Sequence, residues 1–376
     1  MRKFHFTFLH AVMVIMLVAC GSSPSENSPP LAPEPTLHFR GVDASFASLL
    51  QDCESPILIS GEEYPWQTYA DAGINLVRLR VWVEPEAGYN DLADTLQKAQ
   101  AIADAGMDLY IDFHYSDTWA DPGKQTKPLA WQDSDFDTLN TQLYRHTLDV
   151  MNALSSANIP VKMVQLGNEI SSGMLWDEGR VGANFNSNWW RLALLLKSAT
   201  RAVNDSDYTD PPLIMIHTDT GGDKDASEWF FSHLVSEGVE FDIIGLSFYP
   251  WWHGSMQDLS ENLSHLAANY QQAIVLAEVA YPFSLVNQDQ QPNFVWQETP
   301  LNTEFAASEQ GQADYIAALR EVLLSLPNNK GLGMVYWAPD WISHTQEACQ
   351  SSWDNLTLFD DAGHSLKALA ELGQGR

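Results

Sequence analysis

Eight short apolar segments recur along the chain, and a longer amphipathic stretch follows each of them. The segments are rich in β-branched and aromatic residues, which is typical of β-strands. They are 38–46, 74–82, 107–116, 161–169, 212–219, 242–250, 273–281 and 331–339. Strands that alternate with helices form parallel sheets through crossover connections. The pattern therefore predicts an α/β fold, a single-domain (β/α)8 or TIM barrel over residues 38–376.

The stretches between these strands carry apolar residues at three- and four-residue spacing, which predicts helices. The clearest are 91–105, 136–157, 226–236 and 313–326. Two long segments without this spacing, 117–135 and 282–312, are interpreted as loops at one mouth of the barrel.

The chain begins with a basic start and an apolar run from Phe8 to Ala19. This run is shorter than the roughly 20 residues that a membrane-spanning helix needs. Its layout predicts a signal peptide over residues 1–19. The sequence ending at Cys20 resembles the lipobox of bacterial lipoproteins, which implies cleavage before Cys20 and its lipidation. An ordinary signal with an incidental cysteine is the alternative.

Residues 20–37 are rich in Pro and Ser and predict an extended tether. We therefore expect an exported protein that is lipid-anchored to a bacterial membrane, with the outer membrane or cell surface favoured. The membrane is contacted only through the lipid.

The formal net charge of −30 restricts the class of partner. A chain this acidic is repelled by nucleic acids and other polyanions. A neutral partner is favoured, and no nucleic acid is expected.

Polar residues stand mainly at the C-terminal ends of the predicted strands, which meet at one mouth of a barrel. They include Asp43, Arg80, His114, Asn168, Glu169, His217, Asp219, Tyr249, Glu278 and Trp337. Enzymes with this fold place their chemistry at that mouth.

Two of these residues form a candidate catalytic pair. Glu169 ends the fourth strand and Glu278 lies in the seventh, so their side chains are expected to face each other across the mouth. Retaining glycosidases use two carboxyl groups about 5–5.5 Å apart, one as nucleophile and one as acid and base. Asn168 is placed to bind the sugar 2-hydroxyl. Each Glu taken alone is better explained as a salt-bridged residue of the barrel rim, and it is the pair that indicates catalysis.

Seven segments resemble glycoside hydrolase family 53 of clan A. They are GVDASF (41–46), LVRLRVWVEP (76–85), DFHYSDTWADPGKQTKPLAW (112–131), QLGNEISSGMLW (165–176), SFYPWWHG (247–254), LAEVAYPF (276–283) and MVYWAPDWI (334–342). Members of this family are endo-β-1,4-galactanases that cut the galactan side chains of pectic arabinogalactan. The resemblance implies that Glu169 is the acid/base and Glu278 the nucleophile.

The same resemblance implies a set of substrate-binding residues. Arg80, Asn168, Tyr249 and Trp337 match the residues that surround the reacting sugar. His217 and Asp219 resemble a sugar-contacting pair. Flat aromatic side chains stack on sugar rings, so Trp119 is a further candidate, together with His114 and Asp117 in the same loop. A buried, hydrogen-bonded barrel histidine is the alternative for His114.

The remaining two cysteines are expected to pair. Cys53 follows the first strand and Cys349 the last, and closure of a barrel makes these strands neighbours. Exported proteins form disulfides, so we predict a Cys53–Cys349 bond.

No zinc spacing or nucleotide-binding motif is present in the sequence, and we expect no cofactor and assign no metal. Some bacterial relatives hold calcium between the seventh and eighth loops. Asp354 and Asn355 leave a structural calcium possible here.

The sequence thus predicts a monomeric endo-galactanase that acts on a neutral galactan by a retaining double displacement. Two alternatives stay open: another clan A endo-glycanase that acts on mannan or glucan, and a surface lipoprotein that captures glycans without cleaving them.

Overall fold

The computed structural model of the protein describes residues 36–55, 57, 66–182, 184–185, 188–296 and 300–376. The predicted signal peptide, Cys20 and the tether up to residue 35 lie outside these residues. Leu37, the last residue of the predicted tether, is buried, and its backbone N–H donates to the carbonyl of Gly375 at 3.0 Å. No helix in the described ranges combines the length and apolarity needed to cross a bilayer.

Eight parallel strands form a closed barrel, which confirms the predicted fold. They are β1 (Phe39–Asp43), β2 (Leu76–Val81), β3 (Asp108–Phe113), β4 (Val161–Leu166), β5 (Leu213–Thr218), β6 (Ile243–Phe248), β7 (Ala273–Val279) and β8 (Gly331–Trp337). Each strand pairs with its neighbour in sequence, and β8 pairs with β1 to close the ring.

Helices follow the strands, and most of them cover the outside of the barrel, whereas α7 lies at its mouth. They are α1 (Ala47–Asp52), α2 (Trp66–Asp71), α3 (Leu92–Asp104), α4 (Phe136–Ser156), α5 (Trp189–Asn204), α6 (Lys224–Ser236), α7 (Pro250–His253), α8 (Met256–Asn269), α9 (Glu309–Leu324) and α10 (Lys367–Leu372). A short antiparallel ribbon pairs Gly173–Met174 with Gly179–Arg180.

Capping side chains set helix starts that apolar spacing did not locate. The side chain of Ser308 accepts a hydrogen bond from the backbone N–H of Gly311, so α9 begins at Glu309, four residues before the predicted start. Asp223 caps α6 in the same way, two residues before the predicted start. The predicted loop 282–312 therefore ends earlier than expected.

The interior of the barrel changes from apolar to polar along the strand direction. The apolar floor consists of Phe39, Leu76, Tyr110, Met163, Met215, Ile243, Val275, Ala277 and Val335. Two residues further along β2 and β4 stand the buried polar residues Arg78 and Gln165. Side chains alternate between the two faces of a strand, so this polar layer lies directly above the floor and below the mouth.

The predicted disulfide between Cys53 and Cys349 is present, with a Cα–Cα distance of 6.1 Å. It joins the segment after α1 to the loop after β8, across a sequence separation of 296 residues. In the chain-entropy account, a loop this long gives a stabilisation of about 5–6 kcal/mol.

We expect the Cys53→Ser/Cys349→Ser double variant to unfold at a temperature roughly 5–10 °C below that of the parent protein. Differential scanning calorimetry measures the change. Neither cysteine lines the cavity described below, and a Gln350→Ala variant of the same loop, which also does not line it, serves as the control. Equal unfolding temperatures for the parent and the double variant would contradict this prediction.

Candidate active site

A cavity of about 630 Å³ opens at the C-terminal mouth of the barrel. Most of the residues predicted from the sequence line it: Arg80, His114, Trp119, Asn168, Glu169, Asp219, Tyr249, Glu278 and Trp337. The structure therefore brings the two glutamates to one cavity. Asp117 and His217 do not line it.

The backbone at the end of β4 turns sharply to present Glu169. Glu169 adopts a left-handed conformation with φ 48° and ψ 52°, and Gly167 has φ 88°. A Cβ atom on Gly167 would lie 2.7 Å from Cγ2 of Ile170, so only glycine fits. A left-handed residue other than glycine costs about 1–2 kcal/mol. Such strain is typical of functional positions.

An irregularity in β7 presents Glu278. The register between β6 and β7 pairs Leu246 with Leu276 and then Ser247 with Glu278, so Ala277 is the extra residue of a bulge. Ala277 packs in the barrel floor, and strict alternation would turn the next side chain outward. The bulge instead brings Glu278 into the cavity, as bulges beside active sites do.

Arg78 is the centre of the polar layer. Its guanidinium forms ion pairs with Asp43 at 2.7 Å, Asp112 at 2.8 Å and Glu278 at 2.8 Å. It also donates to Oδ1 of Asn168 at 2.7 Å. The Arg78 side chain is only 1% exposed, and its carboxylate partners hold its pKa above the usual value in spite of burial. One cation therefore contacts both Glu278 and the neighbour of Glu169.

The surroundings of Glu278 favour its carboxylate form more than those of Glu169 do. Burial raises the pKa of Glu278 to about 7, while Arg78 and Tyr249 oppose that rise. The Tyr249 hydroxyl donates to Oε2 of Glu278 at 2.9 Å. Each donor stabilises negative charge on this side chain.

Glu169 has no cation within ion-pair distance in the described structure. Burial raises its pKa well above the ordinary value, and the charges of Glu278 and Asp219 raise it further, against weaker opposing effects of the Ser247 hydroxyl and of Arg78. Its Oε1 atom lies 2.7 Å from the hydroxyl of Ser247. Glu169 therefore keeps its proton to a higher pH than Glu278 does.

The prediction that His217 contacts sugar is not supported by its position. Its ring is fully buried beneath the cavity, where Nδ1 lies 3.1 Å from Oδ1 of Asn168 and Nε2 lies 2.9 Å from Oγ of Ser247. The sequence places His217 at a strand end, but the cavity floor is formed above it by Asn168 and Glu169.

Asp117 also differs from its predicted role. Its two carboxylate oxygens accept hydrogen bonds from the backbone N–H groups of Glu84 and Leu129, at 2.9 and 2.8 Å. It joins the second and third loops and does not reach the cavity.

Aromatic side chains line the cavity walls. Trp119 and Trp337 lie 6.0 Å apart between ring centroids, and Trp337 meets Trp353 edge-on at 4.6 Å. The Arg80 guanidinium lies over the ring of Trp119 at 4.0 Å and orients it. The wall continues to Trp252, which is 53% exposed. Such flat, partly open surfaces suit the apolar faces of sugar rings.

His114 stands at the edge of this cavity and is largely buried. Its Nδ1 atom accepts hydrogen bonds from the backbone N–H of Ala120 and the indole N–H of Trp82, and Nε2 lies 3.0 Å from Asp112. Both ring nitrogens therefore have protein partners, which favours the structural alternative for this residue.

A second cavity, of about 650 Å³, adjoins the first on the side of Glu169. The two cavities share Asp219, Trp252 and His253, and Ser171 and Ser172 also line the second. One oxygen of Asp219, Oδ1, is buried without a hydrogen-bond partner in the described structure.

Asp354 and Asn355, which the sequence analysis considered for calcium, form hydrogen bonds within the protein. Both oxygens of Asp354 accept hydrogen bonds, from the N–H groups of Gln288 and Asn293, and the Asn355 amide donates to two backbone carbonyls. In the described part of the chain, no group of three or more His, Cys, Asp or Glu side chains has the arrangement of a metal site.

Sequence reasoning missed Arg78, Asp112 and Ser247. It selected Arg80 because Arg80 stands at the strand end, whereas Arg78 is the residue that contacts Glu278. One signal was available: Leu76, Arg78 and Arg80 share one strand face, and a charge in the middle of an apolar strand requires a buried partner.

We expect Arg78→Met to lower the free energy of unfolding by about 3–5 kcal/mol, because buried carboxylates lose their cation. Arg80→Met is the matched control, since Arg80 lies on the same strand face but forms no ion pair within the described residues. Its loss should be about 1–2 kcal/mol. Urea unfolding followed by tryptophan fluorescence measures both. Equal losses would contradict the central role of Arg78.

Comparison with known proteins agrees with this geometry. The model of the family described as glycosyl hydrolase family 53 matches residues 39–372. An arabinogalactan endo-beta-1,4-galactanase from Humicola insolens is 36% identical over 344 residues, which are 89% of this chain and 98% of the relative. An arabinogalactan endo-beta-1,4-galactanase A from Aspergillus niger is 35% identical over 350 residues, 90% and 95% of the two chains.

Solved structures give the same result. A family 53 catalytic domain from Ignisphaera aggregans superposes with a TM-score of 0.82 at 34% identity, covering 92% of this chain and 98% of that one. A fungal beta-1,4-galactanase gives a TM-score of 0.76 at 33% identity, with 89% and 99% covered. A xylanase from Cellvibrio japonicus, at 14% identity and a TM-score of 0.57, shares the fold alone.

Proposed function

Because this chain belongs to glycosyl hydrolase family 53 and is a glycoside hydrolase, we propose that it cleaves internal β-1,4-galactosidic bonds of galactan, in the type I arabinogalactan side chains of pectin. The observation that carries the proposal is the unequal pair of glutamates on one cavity. Arg78 and Tyr249 hold Glu278 as the better carboxylate, and Glu169 is the better acid.

The first step of the proposed mechanism forms a covalent intermediate. A Glu278 oxygen attacks the anomeric carbon while Glu169 gives its proton to the leaving glycosidic oxygen. Arg78 and Tyr249 hold Glu278 in place for the attack. Asn168, fixed by Arg78 and by its donation to Ala120 O at 2.9 Å, is placed to bond the 2-hydroxyl of the reacting sugar.

The second step reverses the first with water as the attacking group. Glu169, now a carboxylate, takes a proton from water as the water attacks the anomeric carbon, and Glu278 leaves. The product keeps the β configuration. The leaving part of the polymer departs on the Glu169 side, where the second cavity with Asp219 and Trp252 offers hydrogen-bonding groups and an exposed ring.

Galactan is favoured over the alternatives by the named activity of the relatives. Neither mannan nor glucan is named for the relatives reported above, and the xylanase shares the fold alone. Glycan capture without cleavage does not require two carboxyls on one cavity, and it does not explain their unequal environments. The aromatic walls and acidic side chains of the cavity favour a neutral sugar polymer over an anionic one as substrate. We propose a monomer as the acting unit, because residues of one chain line the cavity.

We expect Glu169→Gln and Glu278→Gln each to reduce galactan hydrolysis by about 10³-fold or more. The first variant lacks the proton donor and the second lacks the nucleophile. Reducing-sugar release from galactan, mannan and glucan measures activity and specificity together. Glu228→Gln, on the outer helix α6, is the matched control and should retain full activity. Substantial hydrolysis by either active-site variant would refute the assignment.

The proposed double displacement has a stereochemical consequence. Proton NMR during the first minutes of hydrolysis should show the β-anomer of the new reducing end before mutarotation produces the α-anomer. An initial α-anomer would mean an inverting mechanism.

We also propose that the chain is exported and anchored through a lipid on Cys20. The basic start, the short apolar run and the lipobox-like residues support this. In a bacterial host, the protein should sediment with membranes, and a Cys20→Ser variant should not. Sedimentation of both with membranes, in detergent-free fractions, would contradict lipid anchoring at this site.

A further inference from the structure

A buried chain of hydrogen-bonding groups leads away from Glu169 into the barrel. Oε1 of Glu169 lies 2.7 Å from Oγ of Ser247, which lies 2.9 Å from Nε2 of His217. Nδ1 of His217 lies 3.1 Å from Oδ1 of Asn168. Ser247 and His217 are fully buried, and the two reaction steps above do not use them.

The Asn168 end of this chain determines where His217 carries its proton. The Asn168 amide nitrogen donates to the carbonyl of Ala120. The Arg78 guanidinium, which can only donate hydrogen bonds, lies 2.7 Å from Oδ1 of Asn168. The atom that faces His217 is therefore an oxygen, so Nδ1 of His217 must donate. The backbone N–H of Glu169 also points at Nδ1, but at the longer distance of 3.4 Å.

The other ring nitrogen of His217 is left with a lone pair. Burial holds the pKa of His217 well below its usual value, and the Arg78 charge lowers it further, so the ring has a single proton. Asp112 opposes this shift, while His114 and His253 add to it. Nε2 therefore accepts a hydrogen bond from the Ser247 hydroxyl, which has only one proton to donate.

Ser247 can then offer Glu169 only a lone pair. A carboxylate oxygen facing that lone pair has no partner, whereas a protonated carboxyl donates to it. A Ser247 hydroxyl that donated to Glu169 would lower the pKa of Glu169. In the tautomer argued above, that hydroxyl instead donates to Nε2 of His217, 2.9 Å away.

We propose that Ser247 and His217 are positioning residues that keep Glu169 in its protonated, acid form, through hydrogen bonds that run in one direction from Glu169 to Ser247, to His217 and to Asn168. This inference rests on the proposed role of Glu169. The other groups that face Glu169 are Glu278, Asp219 and Arg78, and the substitutions below leave them in place.

The first test is the pH dependence of kcat/KM on soluble galactan for Ser247→Ala and His217→Asn. The alkaline limb reports the loss of the acid's proton in the free enzyme. Removing the Ser247 acceptor destabilises the protonated acid, and removing Nε2 frees Ser247 to donate to the carboxylate. Both variants should shift the alkaline limb to lower pH by about one unit and leave the acidic limb in place.

His265→Asn, on the outer helix α8, is the matched control and should shift neither limb. Asparagine at position 217 retains a donor near Nδ1, which keeps the Asn168 contact. A purely structural role would lower kcat without moving the limb. An alkaline limb that moves upward or stays in place in both variants overturns the proposal.

The second test does not depend on activity. In protein labelled with ¹⁵N-histidine, the ring-nitrogen shifts show which nitrogen carries the proton, and the signals missing from His217→Asn identify His217. A protonated Nδ1 with an unprotonated Nε2 is expected at neutral pH. The opposite tautomer, or a doubly protonated ring, overturns the inference. An active Glu169→Gln enzyme would instead refute the proposed function and leave this tautomer unchanged.

Discussion

The site depends on the burial of one guanidinium group. Arg78 is enclosed among Asp43 of β1, Asp112 of β3 and Glu278 of β7, and it also bonds Asn168 after β4. A buried charge is tolerated only when it is paired and hydrogen-bonded, so these strand ends must meet at one level of the barrel. The same contacts that satisfy Arg78 therefore fix the position of Glu278 and the neighbour of Glu169.

Two residues of one type acquire different chemistry from this arrangement. Glu278 receives Arg78 and the Tyr249 hydroxyl, both of which stabilise its charge. Glu169 is buried and faces the negative charges of Glu278 and Asp219. It also contacts Ser247, whose hydroxyl donates to His217 in the proposed chain. The pKa values of both side chains are raised, but that of Glu169 is raised more, and such a difference separates an acid from a nucleophile when the two share a cavity. The division of roles thus follows from the environments and not from the residues themselves.

The sequence predicted the barrel and the family, because strand–helix alternation and extended motifs are local signals. It also predicted that Glu169 stands at the mouth, because Glu169 ends the predicted strand 161–169. Alternation could not predict that Glu278 faces inward, since the bulge at Ala277 depends on pairing with β6. Glu278 was identified from its place near the end of the seventh strand and from the family resemblance. The sequence prediction selected Arg80 instead of Arg78 and placed His217 and Asp117 in contact with substrate. The depth of Arg78 and His217 within the barrel, and the hydrogen-bond partners of Asp117, are set by packing between distant segments, which the sequence does not show.

Covalent trapping of the proposed intermediate tests the central claim most directly. A 2-deoxy-2-fluoro-β-galactobiosyl fluoride forms the glycosyl-enzyme of a retaining enzyme quickly and releases it slowly, so the adduct accumulates for mass spectrometry. Peptide mapping should place one galactobiosyl group on Glu278, within the peptide that contains β7. An adduct on Glu169 or on any other side chain would contradict the roles assigned to the two glutamates.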